Sequence, residues 1–221
     1  MSVVDPRLLA ALQRQWQSRD AALGRGARRV GWKLGMGRRE RIGEHIAVGH
    51  LTTATVVDLA GLCDAMSDCD GELHVDAELC VEFGSDLDPR ADATAVCAAV
   101  WQCWPALELV DLAPRVGEPE SIVAGNVFHR AVAFGQMTIP LFCAENVTVS
   151  INGREQDQAQ WPEDVAERIV CAAGILSAMN ERFRAGDRVI TGAIVQVPMA
   201  AGDVVRADFG EHATLDCRTS A

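Results

Sequence analysis

The stretch Glu72-Leu73-His74-Val75-Asp76-Ala77-Glu78-Leu79-Cys80-Val81-Glu82-Phe83 decides how the chain folds. Its odd positions are apolar, and its even positions are ionisable or sulfur-bearing. A period of two over this length predicts a β-strand with one face on a hydrophobic core. Asp76 and Glu78 then project from the other face, their Cα atoms roughly 6.6 Å apart. Two carboxylates that close repel each other unless a cation or a proton lies between them. A lone Asp-x-Glu is more often a solvated strand face, so its meaning turns on the rest of the chain.

The chain of 221 residues is 49% hydrophobic and 23% charged, the balance of a soluble globular protein with ample core. We expect one domain over 1–221, with an N-terminal helical segment over 1–28. A net charge of −11, with no basic stripe, argues against a nucleic-acid partner. No apolar run reaches the length of a membrane span, and the N-terminus lacks the basic and apolar regions of a signal peptide. The expectation is a cytoplasmic protein with no membrane partner. The eight cysteines form no Cys-x-x-Cys pair and no zinc pattern. Cys80, Cys97, Cys103 and Cys171 read as small buried hydrophobes.

Of the twenty Lys and Arg residues, only Lys33 is a lysine. A lone lysine among arginines suits a position where a compact ammonium must touch one oxygen or give up a proton. Lys33 falls in a short strand predicted over 29–36. Gly31, Gly35 and Gly37 near it do not make a Gly-x-Gly-x-x-Gly fingerprint, so a dinucleotide fold is not supported.

Elsewhere the periodicities predict a helix over 6–23, a loop or short helix over 38–50, and a strand over 53–59. A helix from Thr94 to Cys103, capped by Asp92 or Thr94, is expected to stop at Pro105. That helix would carry Trp101 and Trp104 and more apolar residues than one face can bury. Ala106–Asp111 reads as a strand, 114–122 as a loop, and 126–134 as another strand. Asn152-Gly153 marks a hairpin with a type I′ turn. Trp161-Pro162-Glu163-Asp164 opens a helix whose stripe is Val165, Ile169, Ala172, Leu176 and Met179. A short strand over 189–193 ends in Thr191-Gly192, and a last hairpin joins 203–209 to 213–218. Strands outnumber helices without regular alternation. That favours an α+β fold with a mainly antiparallel sheet core.

The strand over 106–111 places Glu108 in the apolar run Ala-Leu-Glu-Leu-Val, where a carboxylate needs a partner or a metal. Asp76, Glu78 and Glu108 together are an all-oxygen ligand set, suited to Mg²⁺ or Mn²⁺ rather than zinc. His74 lies further along the same strand face and is taken as solvated or as supporting a ligand.

The order Gly31-Trp32-Lys33-Leu34-Gly35, Asp76-Ala77-Glu78-Leu79, Pro105-Ala106-Leu107-Glu108-Leu109-Val110-Asp111 and Ile190-Thr191-Gly192-Ala193 resembles the fumarylacetoacetate hydrolase superfamily. The similarity is greatest to its 2-oxopent-4-enoate hydratase and 4-oxalocrotonate decarboxylase branch, and it runs from about residue 20 to about 218. The resemblance implies a mixed β-sandwich roll with a few flanking helices. It implies metal ligands at Asp76, Glu78 and Glu108, and places Lys33, Thr191 and Gly192 in the substrate pocket, Lys33 also as a catalytic residue. The implied activity is that of a lyase, hydratase or decarboxylase, acting on a 2-oxo acid through a metal-stabilised enolate, as in aromatic catabolism. A C–C hydrolase of acylpyruvates, with His45, His50 or His129 as base, and a non-catalytic partner subunit remain alternatives. Homo-oligomer formation, as a homodimer or larger assembly, is also implied. The chain departs from the branch in having Asp76 where Glu is usual and Ala124-Gly125-Asn126 where Ala-Asp-Asn is usual. Phe128-His129-Arg130 stands where small residues are expected.

Overall fold

The computed structural model describes residues 5–35, 46–67, 71–112 and 119–218. The decisive stretch forms strand β4 (Leu73–Phe83). Its neighbours are β1 (Arg29–Gly35), β2 (Ala47–Thr52), β3 (Val56–Val57), β5 (Val100–Asp111), β6 (His129–Phe134), β9 (Arg188–Ile190) and β10 (Val195–Pro198). They form an eight-stranded sheet in the order β2-β1-β9-β4-β5-β6-β3, with β10 also paired to β4. Only β1–β9 and β3–β6 are parallel, so the sheet is mixed and mainly antiparallel, as expected. A second sheet, β12-β11-β7-β8, uses β7 (Asn146–Ile151), β8 (Arg154–Gln160), β11 (Val204–Asp208) and β12 (Thr214–Arg218). Five helices complete the described fold: α1 (Pro6–Gly24), α2 (Leu59–Ser67), α3 (Ala93–Ala99), α4 (Pro119–Ala124) and α5 (Val165–Ala178). The main hydrophobic core runs through β4, β5, the inner face of the second sheet, α1 and α5, and a smaller cluster joins Leu51, Cys80, Trp104, Ala106, Val132 and Ile190.

The two-residue alternation of β4 holds, but its second face is not solvated. Val75 to Val81 are buried on both faces, and only His74 and Glu82 near the ends are partly open. That second face is lined by Asp76, Glu78 and Cys80, and the large sheet curls over it. The curl is visible in one contact. Lys33 on β1 is three strand spacings from Glu108 on β5, about 14 Å in a flat sheet. Yet Lys33 Nζ lies 2.5 Å from Glu108 Oε1. The roll is fastened where β2 approaches the segment before β6. Asn126 Oδ1 accepts from His50 N at 2.8 Å, and Asn126 Nδ2 donates to His50 O at 3.1 Å. Gln15 of α1, fully buried, donates to both Val48 O and Val123 O.

The chain between α4 and β6 is strained. Asn126, Val127 and Phe128 have φ of 59°, 55° and 64°. The left-handed region costs an L-residue about 1–2 kcal/mol, and is unusual for β-branched valine. The neighbouring bonds hold it there: Val127 N donates to Ile122 O, and Asp111 N to Phe128 O.

Several expectations on local structure are corrected. Trp101 and Trp104 are not on a helix: the helix capped by Asp92 ends at Ala99, and β5 begins at Val100 and runs through Pro105. The tryptophan-rich helix face that would have favoured self-association therefore does not exist. Trp104 is buried beneath Arg188, and Trp101 is exposed. Within 38–50, the described residues 47–50 belong to β2, not to a loop. The strand over 53–59 shrinks to β3 before α2, and 119–124 is helical. Both hairpins form as expected, Asn152 and Gly153 having positive φ at the first turn. Cys80, Cys97, Cys103 and Cys171 are free thiols, whereas Cys217 is disulfide-bonded.

Asn126 should carry a measurable share of stability. Asn126→Ala removes two hydrogen bonds and leaves a residue less tolerant of positive φ, an expected loss of about 2–3 kcal/mol in denaturant unfolding. Asn126→Gly keeps the backbone freedom and should lose less. Equal losses in both variants would place the whole effect in the hydrogen bonds.

Candidate metal centre

Asp76 and Glu108 are directly opposed in the β4–β5 ladder, and Glu78 is two residues further along the same face. Like charges placed so are destabilising in a sheet unless something lies between them. The ligand oxygens of Asp76, Glu78 and Glu108 all lie within 4.8 Å of one another, and all three residues are buried. The three carboxylates expected from the sequence are therefore brought together.

The backbone opens to make room for them. β4 pairs with β9 at Cys80–Glu82 and with β10 at His74–Ala77. Between these ladders, residues 191–194 arch past Glu78. Gly192, at φ 99°, donates its N–H to Glu78 Oε2 at 2.8 Å. Gln196 of β10 donates to Asp76 Oδ2 at 3.1 Å. Two oxygens are left buried without a hydrogen-bond partner, Asp76 Oδ1 and Glu108 Oε2. Orphaned buried acceptors are costly, and a cation is the partner such oxygens lack.

Glu108 Oε1 is used differently. Lys33 Nζ donates to it, and His129 Nδ1 lies 2.6 Å from it. Lys33 also donates to Val127 O at 3.0 Å, so the strained turn aims a carbonyl at the ammonium. Gly49 stands opposite Lys33 in the β1–β2 ladder, and a Cβ there would lie 2.5 Å from Lys33 Cγ. Only glycine lets the lysine pass. His129 Nε2 lies 2.9 Å from Thr55 Oγ1. Against an ionised Glu108, Nδ1 of a neutral imidazole must carry the proton, and Nε2 then accepts from the Thr55 hydroxyl.

The electrostatics divide the carboxylates. Burial, and next the charge of Glu108, push Asp76 up to about 7. The same two causes, in the same order, push Glu78 well above the usual carboxylate range. Burial is the largest single influence on Glu108 and acts upward, but the Lys33 charge and the His129 contact together hold it down at about 2. Burial lowers the His129 imidazole against the pull of Glu108. Burial, then the charge of His129, lowers His50 to about 4. With Glu108 ionised and one ammonium among three buried carboxylates, Asp76 and Glu78 thus favour their protons unless a dication takes their place. The oxygen donor set, the two orphaned acceptors and the uncompensated charge fit a divalent cation at Asp76, Glu78 and Glu108.

Thr191 and Gly192 are spent inside the protein. The Thr191 hydroxyl, fully buried, donates to Leu79 O at 3.0 Å, and the Gly192 N–H goes to Glu78. Both steady the arch beside Glu78. Lys33 contacts a carboxylate of the protein. His45 lies outside the described residues. His50 faces Gln15, with Nδ1 3.3 Å from Gln15 Oε1. From the sequence, His129 stands out only as a candidate base. Its place beside Glu108 has one signal there, a histidine just before the apolar run Ala131-Val132-Ala133.

No protein-family model matches the sequence, and no curated protein matches it. Solved structures do. One is 4-oxalocrotonate decarboxylase from Pseudomonas putida G7 complexed with calcium and acetate, at 24% identity and a TM-score of 0.79. The same enzyme complexed with magnesium and adipate matches at 22% and 0.80. Each match covers 96% of this chain and 85% of that one. Fumarylpyruvate hydrolase from Pseudomonas aeruginosa in complex with Mn²⁺ and pyruvate matches at 17% and 0.63, over 86% of this chain and 88% of that one. The chain therefore has the fold of the fumarylacetoacetate hydrolase family. No described helix is long and apolar enough to cross a membrane.

These shifts give stability and metal binding opposite responses to pH. Asp76 binds its proton more tightly folded, near 7, than unfolded, near 3.8, so the metal-free protein loses stability as pH rises through that interval. Glu108 runs the other way: its contribution is complete above 4.5 and lost only as pH falls toward about 2. A dication competes with the Asp76 and Glu78 protons. Its affinity, measured by calorimetry with Mn²⁺, should rise about tenfold or more from pH 6 to pH 8. A flat profile would contradict competition between the cation and these protons.

Proposed function

We propose that this chain is a divalent-metal-dependent lyase of the fumarylacetoacetate hydrolase superfamily, with Mg²⁺ or Mn²⁺ at Asp76, Glu78 and Glu108 and a 2-oxo acid as substrate. The carrying observation is the convergence of three buried carboxylates, two of them with an orphaned oxygen, beside the only lysine of the chain. The fold supports the hydratase–decarboxylase branch, since the match to the decarboxylase is fuller than that to the hydrolase.

When bound, the dication supplies Lewis-acid polarisation of a substrate oxygen. The chain's own residues do the rest. Gly192 N–H and Gln196 Nε2 orient Glu78 and Asp76, and leave Asp76 Oδ1 available. Lys33 and His129 occupy Glu108 Oε1 and leave Oε2 available. An ammonium has three donors, and Lys33 uses two of them, on Glu108 and Val127. The third is the donor for a substrate carboxylate, or the proton held at Nζ for transfer. Residues buried on both faces of β4 keep bulk water from the carboxylates.

The direct test is turnover of a panel of 2-oxoalkenoates, oxaloacetate and acylpyruvates with Mg²⁺ or Mn²⁺. Turnover of the 2-oxoalkenoates supports the lyase. Turnover of acylpyruvates alone replaces it with a C–C hydrolase, and turnover of none leaves the non-catalytic partner subunit.

Two substitutions probe the roles separately. Glu78→Gln keeps an acceptor for Gly192 but removes a charge, and should weaken Mn²⁺ binding while the thermal transition stays cooperative; wild-type affinity would remove Glu78 from the ligand set. Lys33→Met should stay folded and still bind metal, because Asp76, Glu78 and Glu108 are all retained. It should still lose about 30- to 1000-fold in rate, the worth of a charge-assisted hydrogen bond of about 2–4 kcal/mol. Lys33→Arg should lose as much, since a planar fork does not reproduce a compact ammonium shared between single oxygens of Glu108 and Val127. Full activity in Lys33→Arg would reduce the role of Lys33 to charge alone.

A further inference from the structure

A second group of metal-binding side chains lies outside the carboxylate site, at the end of the smaller sheet. Cys143 and Glu145 precede β7, and His212 sits in the turn between β11 and β12. A sulfur, a carboxylate oxygen and a ring nitrogen from these three all lie within 4.8 Å of one another. Cys143 Sγ and His212 Nε2 are 3.4 Å apart. We propose that Cys143, Glu145 and His212 bind a borderline transition-metal dication of the zinc and cobalt class, independently of Asp76, Glu78 and Glu108.

The donor chemistry selects that class. Thiolate, imidazole and carboxylate are the three ligand types zinc accepts, whereas a hard cation such as Mg²⁺ gains little from sulfur and nitrogen. The spacing agrees. Metal–sulfur and metal–nitrogen bonds of about 2.3 and 2.05 Å at a tetrahedral angle put the two ligand atoms about 3.6 Å apart. Cys143 and His212 stand near that separation already.

The two loops are also held in place. Trp161 Nε1 donates to Leu141 O at 3.1 Å, and Trp161 N donates to Glu145 O at 3.0 Å, so one residue fixes both ends of the segment bearing Cys143. The indole ring stands edge-on to His212 at 6.1 Å and to buried Phe209 at 6.2 Å. Glu145 Oε2 accepts from Glu211 N at 2.9 Å. Gly210, at φ 63°, leaves space for that carboxylate, because a Cβ there would overlap it. All three side chains are partly exposed, so an ion can enter from solvent and water can complete its shell. Binding would displace the Cys143 thiol proton to solvent.

The test is titration of the full chain with Co²⁺ under anaerobic conditions, in excess Mg²⁺ so that the carboxylates are occupied. The readout is thiolate-to-cobalt charge-transfer absorption. One equivalent of absorbing complex is expected, reversed by Zn²⁺. Cys143→Ser should abolish the band, and His212→Ala should weaken Co²⁺ binding about tenfold or more. Glu78→Gln should leave the band unchanged. Circular dichroism of each variant separates loss of ligand from loss of fold. No charge-transfer band in the wild type, or the same band in folded Cys143→Ser, would overturn the site. Unchanged affinity in His212→Ala would overturn the three-ligand assignment. The proposed lyase activity stands or falls separately, since it rests on none of these residues.

Discussion

Glu108 Oε1 receives two donors at once, the ammonium of Lys33 and the imidazole N–H of His129. That double contact is the constraint on which the site depends. It keeps one fully buried carboxylate ionised beside two others that burial pushes toward the protonated form. It also fixes the rotation of Glu108, so that Oε2 and not Oε1 is left without a partner. Opposing charges in dry surroundings are strongly felt, and removing one member leaves the others uncompensated. The five side chains and any bound cation therefore act as one electrostatic unit.

Bringing the donors to Glu108 imposes the shape of the large sheet. Lys33 must reach across from β1, which requires a coiled sheet, and a coiled sheet needs its edges fastened. Gln15 and Asn126 do this with side chains that hydrogen-bond to backbone, not with apolar packing. The left-handed run at Asn126–Phe128 belongs to the same arrangement: it turns the Val127 carbonyl onto Lys33 and starts β6 so that His129 faces Glu108. Strain of this kind persists only where surrounding contacts over-determine it. Here those contacts come from α4, β2 and β5.

The parts legible in the sequence are those written in local periodicity or unusual composition. The alternation over 73–83, the carboxylate stranded in Ala-Leu-Glu-Leu-Val, and the solitary lysine each point to the site from the residues alone. What is not legible depends on contacts distant along the chain. The alternation marks the inward face of β4 but not the burial of the other, because that burial is made by strands β1, β9 and β10. Pro105 reads as a helix stop, yet it sits within β5 where its missing N–H is tolerated, and the mostly apolar stretch 100–104 is ambiguous between helix and strand when read alone. The Thr191 hydroxyl and Gly192 N–H look available in a sequence, and are consumed by Leu79 and Glu78 once the arch closes.

Under the lyase proposal, the residue that moves protons can be narrowed by elimination among the described groups. Gly125 supplies no side chain, and its own N–H closes α4 on Ser121 O. His129 has both ring nitrogens engaged, one on Glu108 and one on Thr55, and is lowered by burial. A base so placed would have to break its hold on a metal ligand to act. His50 is similarly occupied at Nδ1, and its backbone is tied to Asn126. Lys33 remains. It touches Glu108, has a donor beyond the two it uses, and is steered by a carbonyl that the backbone is strained to present. Gly49, opposite it, leaves room for the Cγ and Cδ of its stem. Proton transfer and recognition of the substrate's acidic group then fall on the same nitrogen, which is consistent with a lysine at this one position in a chain that otherwise uses arginine.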